Sequence, residues 1–242
     1  MPEPKFKELK PKVVLGVGAH PDDMDFSSSG SFAIWAAKGA EAYYLVLTDG
    51  SKGSDNLDMS SAELIKTRQD EQRAAAKILG LKDVFFLGYP DAYLEPTLEL
   101  KKDITRVIRK LKPDTVVTMD PSVIYSVDNG FINHSDHRVA GQCTLDAVYP
   151  MARDRLTFPD LISEGYVPHK VKTVLLVSFN NHNFQVDITG SIDKKLEALA
   201  AHTSQINDVE SIKKWIKQRA SRNVEIDSAK YVESFVRLDL PF

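Results

Sequence analysis

The chain has 242 residues, a formal net charge of −3, 43% hydrophobic residues and 27% charged residues. At roughly 150 residues per domain this length allows one or two domains, and the α/β pattern described below favours one, spanning 1–242. A charge this close to zero gives no sign of a nucleic-acid or membrane-surface partner, and the single cysteine, Cys143, excludes an intrachain disulfide.

The opening stretch "MPEPKFKELKPK" is charged and lacks the apolar run of a secretion signal. No apolar run approaches the ~18 residues of a membrane span. A soluble, cytoplasmic protein is expected. In chain order, "KVVLGVG" (12–18), short, apolar and Val-rich, predicts a strand, and "SGSFAIWAAKG" (29–39) a helix ending at Gly39. "AYYLVLT" (42–48) is the second strand. "SAELIKTRQDEQRAAAKILG" (61–80) is a helix with Leu64, Ile65, Arg68, Gln72, Ala75, Ala76 and Leu79 at helical spacing and Gly80 past its end. "DVFFLG" (83–88), "DTVVTMD" (114–120) and "VKTVLLVSF" (171–179) are further strands, and "NFQVDIT" (183–189) is a possible one. Residues 98–112 form an amphipathic helix, and another runs from about Ser135 to Tyr149. The C-terminal third reads as mainly helical, with Ile206, Val209, Ile212, Trp215 and Ile216 as core positions. Trp35 and Cys143 also read as core, and His169 as surface.

Strands alternating with helices, the strands continuously apolar, predict an α/β fold with a mostly parallel central sheet covered on both faces. Ligands of such sheets bind outside the carboxyl ends of the strands. The polar clusters fall there: His20 to Asp25 after the first strand, Thr48 to Ser54 after the second, Gly88 to Asp91 after the third and Asp120 to Arg138 after the fourth.

"GAHPDDMDF" (18–26) is the densest of these clusters. His20 and Asp23 lie three apart, so a turn can bring imidazole and carboxylate to one point. Asp22 and Asp23 are adjacent and must diverge, which frees one for the substrate. In "NHSDHR", His134 and His137 lie three apart and would share one face if they open a helix. His20, Asp23 and one of these two histidines would supply three ligands, leaving a fourth position open for water, as in a catalytic zinc site. Asp22 could then take the water's proton, and the remaining histidine could stabilise the oxyanion and protonate the leaving amine.

"AHPDDMD" resembles the A-H-P-D-D-x-E signature of the LmbE-like (PIG-L) deacetylases, and "HSDH" resembles that family's H-x-D-H. "LTDGSKGS", Arg68 with Glu71, "FLGYPD", "VDIT" and "HTSQ" follow in family order. The resemblance implies a Rossmann-like α/β sandwich and a zinc-dependent hydrolase removing the N-acetyl group of an N-acetylglucosamine-type sugar or conjugate. It implies His20, Asp23 and His137 as metal ligands, Asp22 as general base and His134 as acid or oxyanion partner. Arg68 and Asp91 match positions that hold sugar hydroxyls. Similar proteins are often trimers or hexamers. Asp25 stands where the signature has Glu, and Ser51 where many members have Glu. The same ligand set also suits iron(II), so a metal-dependent lyase or hydratase is an alternative, as is a non-catalytic metal-dependent sugar-binding protein.

Overall fold

The computed structural model describes residues 8–128 and 130–241. In chain order the elements are β1 (Val13–Gly18), α1 (Asp23–Ser27), α2 (Ser29–Ala37), β2 (Glu41–Thr48), α3 (Ser61–Leu79), β3 (Asp83–Tyr89), α4 (Leu98–Leu111) and β4 (Thr115–Met119). There follow β5 (Tyr125–Ser126), β6 (Phe131–Ile132), α5 (Ser135–Asp146), α6 (Pro159–Ser163), β7 (Thr173–Val177), β8 (Phe184–Asp187), α7 (Ile192–Ala200), α8 (Val209–Ala220) and β9 (Val232–Asp239). A wide helical turn, Ala147–Met151, extends the end of α5.

Seven strands form one sheet in the order β3-β2-β1-β4-β7-β9-β8. The first five are mutually parallel, and β9 runs antiparallel to both β7 and β8. The mostly parallel sheet expected from the sequence is therefore present. β1 lies at its centre with Val14, Leu15 and Val17 wholly buried, because both faces of a parallel sheet are covered by helices. One face packs against α2 and α3 through Phe32, Trp35, Ala75 and Leu79, and the other against α4 and α5 through Ile104, Ile108, Ala140 and Cys143. A smaller cluster of Ile188, Leu196, Leu199, Ile206 and Ile216 joins α7 and α8 to the sheet's antiparallel end. No helix among the described residues is long and apolar enough to cross a membrane.

Local chemistry sets the helix ends. Ser60 and Glu63 form a reciprocal capping box at the start of α3, and Gly80 ends it in the left-handed conformation at φ 79°. Close packing sets the placement of α5. A Cβ on Gly141 would lie 2.2 Å from the Met119 carbonyl oxygen at the end of β4. Gly141→Ala must therefore push α5 off the sheet. Overpacking of this kind costs about 1–3 kcal/mol, and a fall in melting temperature of ~3–10 °C is expected in a thermal scan of a domain this size.

The structure corrects the sequence reading in four places. The C-terminal third is not mainly helical: β9 is an eight-residue strand inside the sheet. Trp215 is 45% exposed rather than core, because α8 turns it towards the carboxyl edge of the sheet. His169 is half-buried, its Nε2 2.7 Å from the Pro113 carbonyl. The helix begun at Ser135 leaves α-helical geometry after Asp146.

β9 is tied in by a buried charge cluster. Glu233 accepts from the backbone N–H groups of Gly30 and Ser31 at the start of α2 and from Lys195 of α7. Lys195 and Glu233 are both under a tenth exposed. The carboxylate thereby satisfies two of the donors that a helix start leaves free.

Candidate metal centre and active site

The β1–α1 turn and the start of α5 meet at the carboxyl edge of the sheet. His20 Nδ1 lies 3.3 Å from His137 Nε2 and 3.5 Å from Asp23 Oδ2, and His137 Nε2 lies 3.0 Å from Asp23 Oδ1. A tetrahedral zinc with bonds of ~2.0–2.1 Å holds its ligand atoms ~3.3–3.4 Å apart. The three separations surround that value.

The hydrogen bonds on the far sides of the rings decide which nitrogens face this point. His137 Nδ1 is 3.1 Å from the Asn133 side-chain oxygen. An amide oxygen only accepts, so Nδ1 carries the proton and Nε2 presents a lone pair. His20 Nε2 lies 3.1 Å from Asp91 Oδ1 and 3.4 Å from Asp136 Oδ2, close to both carboxylates although aligned for a full hydrogen bond with neither. It therefore carries a proton too, and Nδ1 presents its lone pair. Two imidazole lone pairs and a carboxylate directed at one another need a cation between them. Carboxylates behind ligating imidazoles fix ring orientation and raise basicity, and Asp91 and Asp136 occupy that place for His20. Asp136 is wholly buried and also accepts from the backbone of Ala92 and Leu94.

Titration points the same way. Burial alone would lower the pKa of His20, yet Asp136, Asp23 and Asp91 push it up to about 12. Burial alone would raise Asp23, yet His137 and His20 hold it well below the usual carboxylate range. The carboxylates around His20 favour positive charge at this point, and a divalent ion on these three ligands would supply it in place of a second ring proton, giving Nδ1 the lone pair that the ligand set needs. A second trio, His20, Asp91 and His134, also brings one donor atom each within 4.8 Å. It shares His20, whose Nε2 would have to give up its proton to serve there, so the first trio fits a cation better.

Asp22 is turned away from the trio by its backbone. It sits at φ 90°, ψ −25°, in the left-handed region, which is uncommon for a residue with a side chain and costs of order 1–3 kcal/mol. This twist separates the two adjacent carboxylates, as their chemistry requires. Burial and the charge of Asp23 raise the pKa of Asp22 to about 6, against the opposing effect of Arg68. Such a carboxylate is a better proton acceptor than an ordinary one.

His134 stands at the mouth, its side chain 43% exposed. Its Nδ1 accepts from the Asp136 backbone N–H, 3.2 Å away, and so caps α5. That bond assigns the remaining proton of the neutral ring to Nε2. Burial and the charges of His20 and His137 lower its pKa, which favours this neutral, donating form. Its ring centroid is 4.7 Å from that of His20.

The structure places Arg68 and Asp91 beneath this site. Arg68 is 4% exposed, and its guanidinium donates to the Gly50 and Pro21 carbonyls and, at 3.4 Å, to Asp22. Asp91, also 4% exposed, accepts from the Lys52 backbone N–H besides facing His20. Both are drawn into the same cluster as Asp22, Asp23, His20 and His137.

Two contributors escaped the sequence reading. Gln72 accepts from the Asp22 N–H at 2.7 Å and donates to Asp25 Oδ2 at 2.7 Å; its only signal was its place on the buried face of α3. Asn133, which orients His137, could have been noticed as the residue before "HSDH". Asp25 is wholly buried and is held by Gln72 and by His202. The "HTSQ" stretch acts as a clamp: His202 holds Asp25, Thr203 and Ser204 hold Glu71, and Gln205 donates to the Gly53 carbonyl. His182 lies apart, 3.2 Å from Glu225.

The PIG-L family model, described as GlcNAc-PI de-N-acetylase, matches residues 15–148. The diacetylchitobiose deacetylase of Thermococcus kodakarensis is 35% identical over 194 residues, covering 80% of this chain and 70% of that protein. A probable N-acetyl-alpha-D-glucosaminyl L-malate deacetylase of Bacillus anthracis is 31% identical, with 79% of this chain and 80% of that protein covered. The solved structure of N,N'-diacetylchitobiose deacetylase from Pyrococcus horikoshii superposes with a TM-score of 0.85 at 28% identity, covering 95% of this chain and 84% of that one. With the family model matching both the β1–α1 turn and α5, and with relatives aligned along most of their length, this chain belongs to the PIG-L (LmbE-like) family.

Proposed function

We propose that this protein is a zinc-dependent hydrolase that removes the acetyl group from an N-acetylglucosamine-type sugar or sugar conjugate. The observation that carries the reading is the convergence of His20, Asp23 and His137 lone pairs on one point, with the carboxylate of Asp22 twisted free beside it. The deacetylases among its relatives support the substrate class. Two His and one carboxylate with an open position suit zinc and also iron(II); a non-redox amide hydrolysis favours zinc.

When bound, the metal supplies a Lewis acid that polarises the acetamide carbonyl and acidifies a water. The chain's own groups do the rest. Asp22 takes a proton from the attacking water as its oxygen bonds to the carbonyl carbon. Arg68 keeps Asp22 in place and limits its rise in pKa. His134 donates its Nε2–H to the oxyanion that develops. Cleavage of the C–N bond releases acetate, and the proton gathered by Asp22 passes to the departing amine. Proton balance thus needs no group beyond Asp22, and His134 contributes as a neutral donor.

The test incubates zinc-loaded protein with a panel of N-acetylglucosamine conjugates and measures acetate and free amine together. Equal amounts of both are expected. Turnover that consumes substrate without freeing acetate would point to a lyase and overturn the reading.

A further inference from the structure

Asp23 and His137 of the candidate metal site line a cavity of about 550 Å³, whose far wall is built from α8 and the residues after it together with the segment after β7. This exceeds the space an acetamide needs and falls within the ~300–1,000 Å³ of pockets that enclose whole small molecules. The far wall is aromatic and cationic. Phe131 and Phe179 meet edge to face at 4.7 Å. Arg219 stacks its guanidinium 4.8 Å from the Phe179 ring and 5.4 Å from the Trp215 ring. Arg222 lies one turn further on, its backbone N–H bonded to the Arg219 carbonyl, so both arginines face the same cavity.

Neither arginine has an ion-pair partner among the described residues. Most of the other arginines do or, like Arg68 and Arg109, spend their guanidinium on backbone carbonyls. The two rings flank the Arg219 guanidinium, and no hydrogen bond among the described residues takes its N–H donors, the groups that pair with carboxylate or phosphate oxygens. Among the described residues Asp128 is the one carboxylate besides Asp23 that lines the cavity, so positive charge prevails at the α8 wall.

We infer that Arg219 and Arg222, with Trp215 and Phe179 as a platform, form a subsite for an anionic group on the portion of the substrate beyond the N-acetylated sugar. The inference rests on the deacetylase reading and sharpens it. The preferred substrate is an N-acetylglucosaminide whose aglycone bears a carboxylate or a phosphate, not a neutral glycoside. Trp215 and Phe179 pack the ring or chain that bears the charge, and the guanidinium edges take its oxygens.

The test compares three glycosides of N-acetylglucosamine: the carboxymethyl glycoside, its neutral carbamoylmethyl isostere, and a phosphoethyl glycoside. The two anions report whether carboxylate or phosphate is the better match. At least one anion is expected to exceed the amide ~10-fold in kcat/KM, mostly through KM, because ligand hydrogen bonds to a charged group are worth that much. Arg219→Gln combined with Arg222→Gln should reduce anion turnover ~10-fold more than amide turnover, and Arg219→Lys should restore part of the difference. An amide turned over as well as both anions overturns the subsite, as does a double variant that keeps the full anion preference. Calorimetric binding to the Asp22→Asn protein separates this from the parent reading. If nothing is deacetylated but anions still bind better in an arginine-dependent way, the subsite stands and the hydrolase assignment falls.

Discussion

His137→Ala and Asp23→Asn are each expected to abolish stoichiometric metal binding, with wild type carrying about one zinc per chain by elemental analysis. The His20 Nδ1, His137 Nε2 and Asp23 oxygens stand 3.0–3.5 Å apart, so removing one leaves two donors where a catalytic zinc uses three. The cost must exceed the ~10–100-fold loss of affinity typical of an outer-shell change. Asn133→Ala provides that comparison within this chain, since the Asn133 side chain orients His137 with its oxygen and donates to the Val123 carbonyl with its amide N–H, and is not one of the three proposed ligands. It should weaken the metal by ~10–100-fold and recover occupancy and activity at excess zinc. His137→Ala should recover neither. Full occupancy in His137→Ala would remove His137 from the ligand set, and an Asn133→Ala protein as tight as wild type would deny the orienting role. Chelation should erase turnover in wild type, and re-addition of zinc should restore it.

Asp22→Asn separates the base from the metal site. Asn tolerates the left-handed backbone that Asp22 adopts at φ 90°, and it preserves shape while removing the charge. Ala would add backbone strain to the loss of the carboxylate. A general base contributes ~10²–10⁴-fold, so kcat should fall by that factor while zinc content holds. The proton acceptor is then missing, but the Lewis acid is intact. An Asp22→Asn enzyme with near wild-type turnover at saturating zinc would exclude Asp22 as base. A loss of zinc in step with activity would show instead that Asp22, not the Asp23 carboxylate, reaches the metal.

The parallel half of the sheet was legible because its strands are short, continuously apolar and followed at once by polar residues. "VVLGV" before "GAHPDD" places both the central strand and the site at its end. Reading β9 was harder. "VESFVRLD" places Glu233 within the sheet, and a buried Glu argues against a strand until its partners are known. Those partners, Lys195 and the start of α2, lie 38 or more residues away, beyond the reach of any periodicity. Trp215 failed for a related reason. Its helical spacing matches Ile212 and Ile216, but only Ile216 is deeply buried, and the large ring next to it serves the cavity. The role of Asp25 was equally hidden. The residue stands in the signature beside metal and base, yet it points into the protein towards Gln72 and His202. Asp91 and Arg68 were found by motif, but spacing alone could not reveal that both are buried against the residues they support.

Helix α3 holds the turn that carries Asp22 from three sides. Arg68 grips the Pro21 and Gly50 carbonyls, Gln72 takes the Asp22 N–H, and Glu71 fastens the 203–204 segment whose neighbour, His202, braces Asp25. The left-handed twist at Asp22 would relax in an isolated peptide. Here side chains of a nineteen-residue helix over-determine it. The conformational entropy of ordering this turn is thus spent when the protein folds and not when substrate arrives. This side of the site is therefore built as lock and key: the substrate would meet a turn already set, and its binding energy would not be drawn on to shape it.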